Sequence, residues 1–218
     1  MYVHLAEGRG WRITRVLDTH VHADHLSRSR RLAQVTGATL HMPEGAPVSY
    51  PFSVLEDEET LEVGAAALEA VRTPGHTPES TSYLLDDRAL FTGDTLFLST
   101  VGRPDLDATP EASREKARDL YHSLLRLLAL DPETLILPGH TSEPVAFDGK
   151  TIGAPLSEVR ERVRVLRETE DAFVEEIAGR CSPPPSNFEH IVKLNRAGRS
   201  HEDDPTELEA GANRCAAG

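Results

Sequence analysis

The clearest signal in the sequence is the segment Asp18-Thr19-His20-Val21-His22-Ala23-Asp24-His25. Three histidines and two aspartates lie within these eight residues, directly after the mainly apolar run 13–17, which predicts a buried strand. Imidazole nitrogens and carboxylate oxygens are the ligands that suit zinc and iron ions. His20 and His22 are two residues apart, so their side chains point the same way on an extended segment. A strand that runs into such a loop indicates a metal site.

The same arrangement occurs three more times along the chain. Predicted strands at 67–71, 89–91 and 135–137 are each followed by a glycine and then a ligand-type residue, namely His76 after Gly75, Asp94 after Gly93 and His140 after Gly139. In α/β folds ligands collect at the carboxyl ends of strands, and glycine allows the tight turn that such a loop needs. A solvated polar loop with Asp24 as a helix cap would explain the first loop alone. The repetition favours one metal site built from all four loops.

The remaining pattern predicts a mixed α/β domain. Helices are expected up to Gly8 or Gly10, at 26–35, 110–130, 156–178 and 187–195, and strands at 38–41, 60–64 and 82–85, with a loop at 44–51. We assign residues 1–197 to one catalytic domain, which includes a C-terminal helical segment at 155–197. Residues 198–218 form an acidic tail rich in small residues, which we expect to be held loosely except around Cys215.

Composition limits the classes of function. The formal net charge of −13 and the pI near 5.2 argue against nucleic acid or an anionic membrane as a partner, because both require a basic face. The sequence has no apolar run of about 18 residues and no signal-peptide pattern at its start, so we expect a cytoplasmic protein without a membrane span. Cys181 and Cys215 lack the spacing of a metal motif, and we expect reduced thiols.

Four motifs together resemble the metallo-β-lactamase superfamily: the segment 20–25, Pro74-Gly75-His76, Gly93-Asp94 and Gly139-His140. This resemblance implies an αββα sandwich. Longer strings are similar to the persulfide dioxygenases, the group that includes the ethylmalonic encephalopathy protein. These strings are 73–80, 91–97, 101–106, 140–142, 184–195 and 211–216.

The resemblance to persulfide dioxygenases implies one Fe(II) per chain, held by His20, His76 and Asp94. The expected reaction oxidises a thiol persulfide, such as glutathione persulfide, with O2 to sulfite and thiol. Independently of the family, two imidazoles and one carboxylate make the facial triad of Fe(II) oxygenases, which leaves positions open for substrate and O2. The other candidates would orient the ligands and handle protons. They are His22, Asp24, His25 and His140.

A hydrolase similar to glyoxalase II remains the alternative, because it would use the same residues differently. One metal would be held by His20, His22 and His76, a second by Asp24, His25 and His140, and Asp94 would bridge them. Two Zn, Fe or Mn ions would then activate a hydroxide that attacks a thioester.

Two further expectations concern Arg103 and the start of the chain. Arg103 is a candidate for binding a substrate carboxylate, with a structural pairing to Asp105 as the alternative. Only 19 residues precede His20, so the opening strands of the superfamily are missing from this sequence. We therefore expect an uncovered sheet edge, which favours pairing of two copies, and we keep an inactive metal-binding remnant as a third alternative.

Overall fold

The computed structural model describes residues 2–141, 145–146, 148–179, 183–199, 205–209 and 215–217. Its strands are β1 Arg15–Leu17, β2 Thr39–Pro43, β3 Ser53–Leu55, β4 Thr60–Val63, β5 Ala66–Arg72, β6 Thr81–Leu85, β7 Ala89–Gly93, β8 Leu135–Pro138 and β9 Ala154–Pro155. Its α-helices are α1 Tyr2–Gly8, α2 Ser29–Thr36, α3 Pro110–Leu128, α4 Leu156–Arg162, α5 Glu170–Gly179, α6 Phe188–Ala197 and α7 Pro205–Leu208, with a 3-10 helix at Arg164–Arg167.

The strands form two sheets. Strands β1, β2 and β3 are parallel neighbours in a three-stranded sheet. The six-stranded sheet has the order β4-β5-β6-β7-β8-β9, in which only the β7–β8 pair is parallel. Strand β1 pairs with β2 alone, so its other edge faces no strand within the described part of the chain.

Apolar side chains divide these elements into four layers. Leu55 of the small sheet packs with Leu61, Leu68 and Tyr83 of the large sheet, so the two sheets face each other. On the outer face of the large sheet, α3, α4 and α5 bury a core that includes Leu124. Helix α2 covers the small sheet through a cluster formed by Val16, Ala33 and Leu40. The αββα arrangement expected from the sequence is confirmed.

Helix α3 shows how a local pattern fixes a layer. Thr109 caps its N-terminus by accepting a hydrogen bond from the backbone N–H of Ala112 at 3.2 Å, and Pro110 occupies the first turn, where its missing N–H has no cost. Buried residues recur at helical spacing along one face and pack toward the large sheet. They are Ser113, Ala117, Leu120, Ser123, Leu124 and Leu127.

The helix expected at 156–178 is wrong as a single element. The chain divides into α4, the 3-10 helix and α5, because Val163 and Glu168 take extended backbone angles. Val163 and Val165 are both buried, so the break turns both side chains into the core. Helical spacing of apolar residues persists through the break, which is why the sequence predicted one long helix.

Two short strands, β3 and β9, were not predicted. The tail was expected to be held only around Cys215, and the structure shows contacts there and also at Glu209. Ala216 bridges Gly102, and the N–H of Ala217 donates to the carbonyl of Val101 at 2.9 Å. Glu209 accepts a hydrogen bond from the N–H of Leu26 at 2.8 Å. Among the described residues, no helix is both long and apolar enough to cross a membrane.

Candidate metal centre

His20, His76 and Asp94 meet at the carboxyl ends of β1, β5 and β7, and we call them the inner triad. All three are buried, with at most 2% of each residue exposed. Oδ2 of Asp94 lies 3.9 Å from Nε2 of His20 and 3.6 Å from Nε2 of His76. Atoms that each lie about 2.0–2.2 Å from one cation at tetrahedral angles are about 3.3–3.6 Å apart, so Asp94 and His76 match one cation and His20 lies slightly farther out.

Hydrogen bonds to the outer ring nitrogens orient both histidines. Nδ1 of His76 donates to the carbonyl of Arg103 at 2.8 Å, and Nδ1 of His20 lies 2.9 Å from the hydroxyl of Thr19. Both Nε2 atoms therefore face the carboxylate of Asp94. Second partners of this kind fix the ring orientation of metal-binding histidines.

Two buried atoms of the inner triad have no hydrogen-bond partner among the described residues, as expected of a site that binds a cation. Nε2 of His20 and Oδ2 of Asp94 are fully buried and have no hydrogen-bond partner within the described residues. Buried polar atoms are nearly always satisfied, and one left without a partner costs about 1–3 kcal/mol. A bound cation would satisfy both atoms at once.

Two glycines allow the backbone to approach Asp94 closely. A Cβ on Gly102 would lie 1.8 Å from the backbone oxygen of Asp94, and one on Gly139 would lie 2.6 Å from Oδ1 of its carboxylate. A larger residue at either position would push Asp94 out of place. Steric crowding against Asp94 thus explains the glycines that precede Arg103 and His140.

Charge in the inner triad also suits a cation. Burial lowers the pKa of His20 well below its usual value and lowers the pKa of His76 as well, so both imidazoles are neutral. Burial alone would raise the pKa of Asp94, but the hydrogen bond with His140 and the neighbouring histidines bring it below its usual range. The site thus combines two neutral imidazoles with one carboxylate.

His22, Asp24, His25 and His140 form a second group on the solvent side, which we call the outer cluster. Its members are paired with carboxylates: His25 with Asp24 at 3.0 Å, and His140 with Asp24 at 3.4 Å and with Asp94 at 3.3 Å. Nε2 of His22 lies 3.8 Å from Asp18. Burial would lower the pKa values of His22 and His140, but Asp18 and Asp94 respectively raise them. The neighbouring carboxylates therefore favour the protonated forms of His22 and His140.

Asp18 was inside the segment first quoted, yet the sequence did not reveal its role. Its carboxylate accepts hydrogen bonds from Ser27 at 2.8 Å and Ser29 at 2.6 Å, in addition to its pairing with His22. The hydroxyl of Tyr83 donates to the backbone oxygen of Asp18 at 2.7 Å. Asp18 therefore braces residues 19–25, which we call the metal loop, from the end of β1.

Asn195 and Glu79 also hold the metal loop, and no local sequence signal marks them. The Nδ2 group of Asn195 on α6 donates to the carbonyls of His22 at 2.8 Å and His25 at 2.9 Å. Its Oδ1 accepts from the N–H of Ser27 at 2.9 Å. Glu79 accepts from the N–H of Val21 at 3.0 Å. These contacts join residues far apart in the chain, so only the fold brings them together.

Arg103, for which substrate binding and a structural pairing were both considered, is paired with Asp105 in the structure. Its side chain is buried, and Nε and Nη2 donate to both oxygens of Asp105 at 2.7 and 2.6 Å. Nη1 donates to the carbonyl of Pro183 at 3.2 Å. The structural pairing with Asp105 is the arrangement observed: only Pro104 separates the two residues, and the guanidinium and the carboxylate match bidentately. Arg103 thereby fixes the backbone carbonyl that orients His76.

A cavity of about 720 Å³ opens beside His76. It lies between the metal loop and α6, and its wall combines apolar surface with three cationic side chains and three acidic ones, Glu79, Asp107 and Glu189. Residues that line it include Thr77, Lys116, Phe188, Val192, Lys193 and Arg196. Its volume is that of a site for a small organic molecule.

Known proteins resemble this chain in both sequence and fold. The model of the metallo-beta-lactamase superfamily matches residues 3–140. A probable metallo-hydrolase of Burkholderia pseudomallei (strain 1710b) is 33% identical over 76% of this chain and 65% of its own length. A hydroxyacylglutathione hydrolase of Methylococcus capsulatus is 34% identical over 78% of this chain and 66% of its own length.

Among solved structures, ETHE1 from Myxococcus xanthus superposes with a TM-score of 0.77 and 32% identity, covering 91% of this chain and 83% of that chain. The chain thus spans slightly under two thirds of the two hydrolases but most of ETHE1. The match over residues 3–140 contains the inner triad and the whole outer cluster. The chain belongs to the metallo-β-lactamase superfamily.

Proposed function

We propose that this protein is an Fe(II)-dependent persulfide dioxygenase with one iron per chain. The observation that carries the proposal is the difference in pairing between the two groups of ligand-type residues. The inner triad has buried ligand atoms without partners, whereas Asp24, His25 and His140 of the outer cluster are paired with one another or with Asp94. Two imidazoles and one carboxylate, with further positions open, favour a mononuclear iron oxygenase.

The comparison with ETHE1 supports the same proposal. That match extends over nine tenths of this chain at 32% identity. The strings that resemble persulfide dioxygenases also take structural roles here. Gly102 makes room for Asp94, and Arg103 orients His76 through its carbonyl. We therefore interpret residues 101–106 as part of the structure that supports the inner triad.

In this proposal, His20, His76 and Asp94 hold the iron, which would supply electrons and open positions for O2 chemistry. The overall change is RSSH + O2 + H2O → RSH + sulfite + 2 H⁺, in which O2 oxidises the terminal sulfur and water breaks the S–S bond. The cavity beside His76 would bind the thiol, and Lys116, Lys193 and Arg196 suit a substrate that carries carboxylates. Glutathione persulfide meets that description.

His140 is the residue best placed to move the protons. Its Nε2 lies 3.4 Å from Asp24 and 3.3 Å from Asp94, and the residue is partly exposed. The ring of Phe97 lies 6.0 Å from its own and shields one side. An imidazole with a pKa raised by carboxylates accepts protons near neutral pH and passes them to solvent.

A dinuclear thioester hydrolase is the second candidate, and one observation favours it. Nδ1 of His22 is buried without a partner among the described residues, as a third imidazole ligand for the inner site would be. The hydroxyacylglutathione hydrolase of Methylococcus capsulatus gives this alternative its substrate class. Asp24, His25 and His140 would then have to leave their ion pairs to hold a second ion.

The experiment that separates the two candidates measures both reactions on one preparation. Purified protein is given glutathione persulfide in an oxygen electrode cell, and sulfite is measured; a parallel sample is given a glutathione thioester. O2 uptake with equimolar sulfite, and no thioester cleavage, is the expected result. Thioester cleavage without O2 uptake would overturn the proposal, and protein that binds no metal and turns over neither substrate would indicate an inactive remnant.

A further inference from the structure

Helix α6 has two faces that contact different parts of the site. One face lines the cavity beside His76, through residues that lie four apart and are therefore neighbours on the helix surface. They are Phe188, Val192 and Arg196 in one row, and Glu189 and Lys193 in the next. The other face holds the metal loop, because Asn195 binds its backbone and Leu194 packs against Leu26. The position of α6 therefore affects both the cavity and the metal loop.

Arg30 of α2 holds the C-terminal end of α6. Its Nη1 donates to the carbonyl of Gly198 at 2.9 Å, directly after the last helical residue. Its guanidinium lies over the ring of Tyr50, 5.1 Å from the ring centroid, which fixes the orientation of the side chain. A cation at this end also complements the negative end of the helix dipole.

The segment 47–49 binds the same end of α6 and also lines the cavity. The N–H and the hydroxyl of Ser49 both donate to the carbonyl of Arg196, at 2.8 and 3.2 Å. Tyr50, on which Arg30 stacks, is the next residue in the chain. The contacts of Ser49 and Arg30 therefore join α6 to this second part of the cavity wall.

Close packing at this junction restricts where the end of α6 can lie. Gly198 has a φ of +68°, and a Cβ there would lie 2.6 Å from Nη1 of Arg30 and 2.6 Å from Cδ1 of Tyr50. Glycine thus allows both the left-handed backbone that ends the helix and the close approach of Arg30.

We propose that Arg30 is a positioning residue for the cavity, acting through the end of α6. Arg30 itself is not among the described residues that line the cavity. By holding α6 it fixes Lys193 and Arg196 where they can bind a carboxylate of the substrate, so the assignment rests on the proposed function. Because the contacts of Arg30 described above are with α6 and Tyr50, its loss should alter substrate binding rather than iron binding.

The test measures binding and turnover separately. Glutathione is titrated into iron-loaded protein by calorimetry without O2, and KM and kcat are obtained from O2 uptake with glutathione persulfide. Arg30→Ala should bind glutathione at least about threefold more weakly and raise KM by a similar factor, because it loses a hydrogen bond and a stacking contact. Its kcat and iron content should match the wild type. Arg30→Met, which keeps the aliphatic stem without a donor, should show the same change.

Two control variants separate this role from a general effect on stability. Arg31→Ala alters the neighbouring exposed arginine of α2, and Tyr50→Phe keeps the ring on which Arg30 stacks. Both should bind glutathione as the wild type does. Loss of stability in Arg30→Ala and Arg30→Met with unchanged KM and affinity would overturn the proposal, and so would an equal weakening in Arg31→Ala.

Failure of this proposal can be distinguished from failure of the proposed function. A persulfide dioxygenase and a glutathione thioester hydrolase both release glutathione, so its affinity tests Arg30 whichever reaction occurs. If the wild type cleaves the thioester and takes up no O2, the proposed function fails, while weaker glutathione binding in Arg30→Ala still supports the role of Arg30. A wild-type protein that does not bind glutathione would overturn the use of the cavity and this proposal with it.

Discussion

The inner triad and the outer cluster contain the same residue types but differ in how they are satisfied. Burial keeps His20 and His76 neutral, and a ligand atom of His20 and one of Asp94 have no partner within the described residues. In the outer cluster, carboxylates raise the pKa values of His22 and His140. Burial and pairing, rather than residue type, therefore distinguish the two groups: one leaves buried ligand atoms without partners, and the other pairs its histidines with carboxylates.

The largest expected effect follows from breaking the inner triad. Replacing His20 or His76 with alanine removes one of three ligands, so iron content should fall to near zero and O2 uptake with it. Metal content by elemental analysis checks this, and His122→Ala, which alters an exposed histidine of α3, serves as the control. A His20→Ala protein that still binds one iron would show that the triad is assigned wrongly.

Adding a methyl group beside Asp94 should damage the inner triad without changing any ligand. A Cβ on Gly102 would overlap the backbone oxygen of Asp94, so Gly102→Ala should lower the free energy of unfolding by about 1–3 kcal/mol or more and weaken iron binding. Gly179→Ala is the matched control, because nothing lies within 4 Å of that Cβ. Its expected change is stabilising, about 0.4–1 kcal/mol. Urea denaturation measures the free energy of unfolding of both variants. An equal change in Gly102→Ala and Gly179→Ala would contradict the steric argument.

Removing the brace on α6 should disturb the outer cluster more than the inner triad. Asn195→Ala leaves the N–H of Ser27 and the carbonyls of His22 and His25 without their partner, which should cost about 1–3 kcal/mol of stability. Turnover should fall while iron content stays near that of the wild type. Denaturation, iron analysis and O2 uptake on one preparation check this. Loss of iron in parallel with activity would show that the two regions are not independent.

The smallest effect concerns protonation in iron-depleted protein. The pKa of His140 is higher in the folded chain than in the unfolded one, so its protonation stabilises the fold below about pH 6.5, and that contribution is lost as the pH rises through the folded value. His140→Gln should therefore destabilise more at pH 5.5 than at pH 8.5. In NMR titrations, His22 and His140 should titrate above the usual histidine value, and His20 and His76 should stay neutral. An equal loss of stability in His140→Gln at both pH values would contradict this expectation.

The sequence predicted which ligand-type residues come together, because each lies in a short motif that follows a predicted strand. It did not predict the role of Asn195, since the residues that it contacts are 168 or more positions away in the chain. The short strands β3 and β9 lie among prolines and have only three and two residues, too few for a periodic signal. Arg103 shows a further limit: its pairing with Asp105 or with a substrate depends on side-chain orientation, which sequence alone does not specify.

The central claim, one iron held by the inner triad with an outer cluster that binds none, is tested most directly by counting iron in two proteins. Wild type and His140→Ala are reconstituted anaerobically with Fe(II), separated from free metal and analysed for iron per chain. We expect about one iron per chain in both, with O2 uptake on glutathione persulfide strongly reduced in His140→Ala. Two irons in the wild type, or loss of most of the iron in His140→Ala, would contradict the claim.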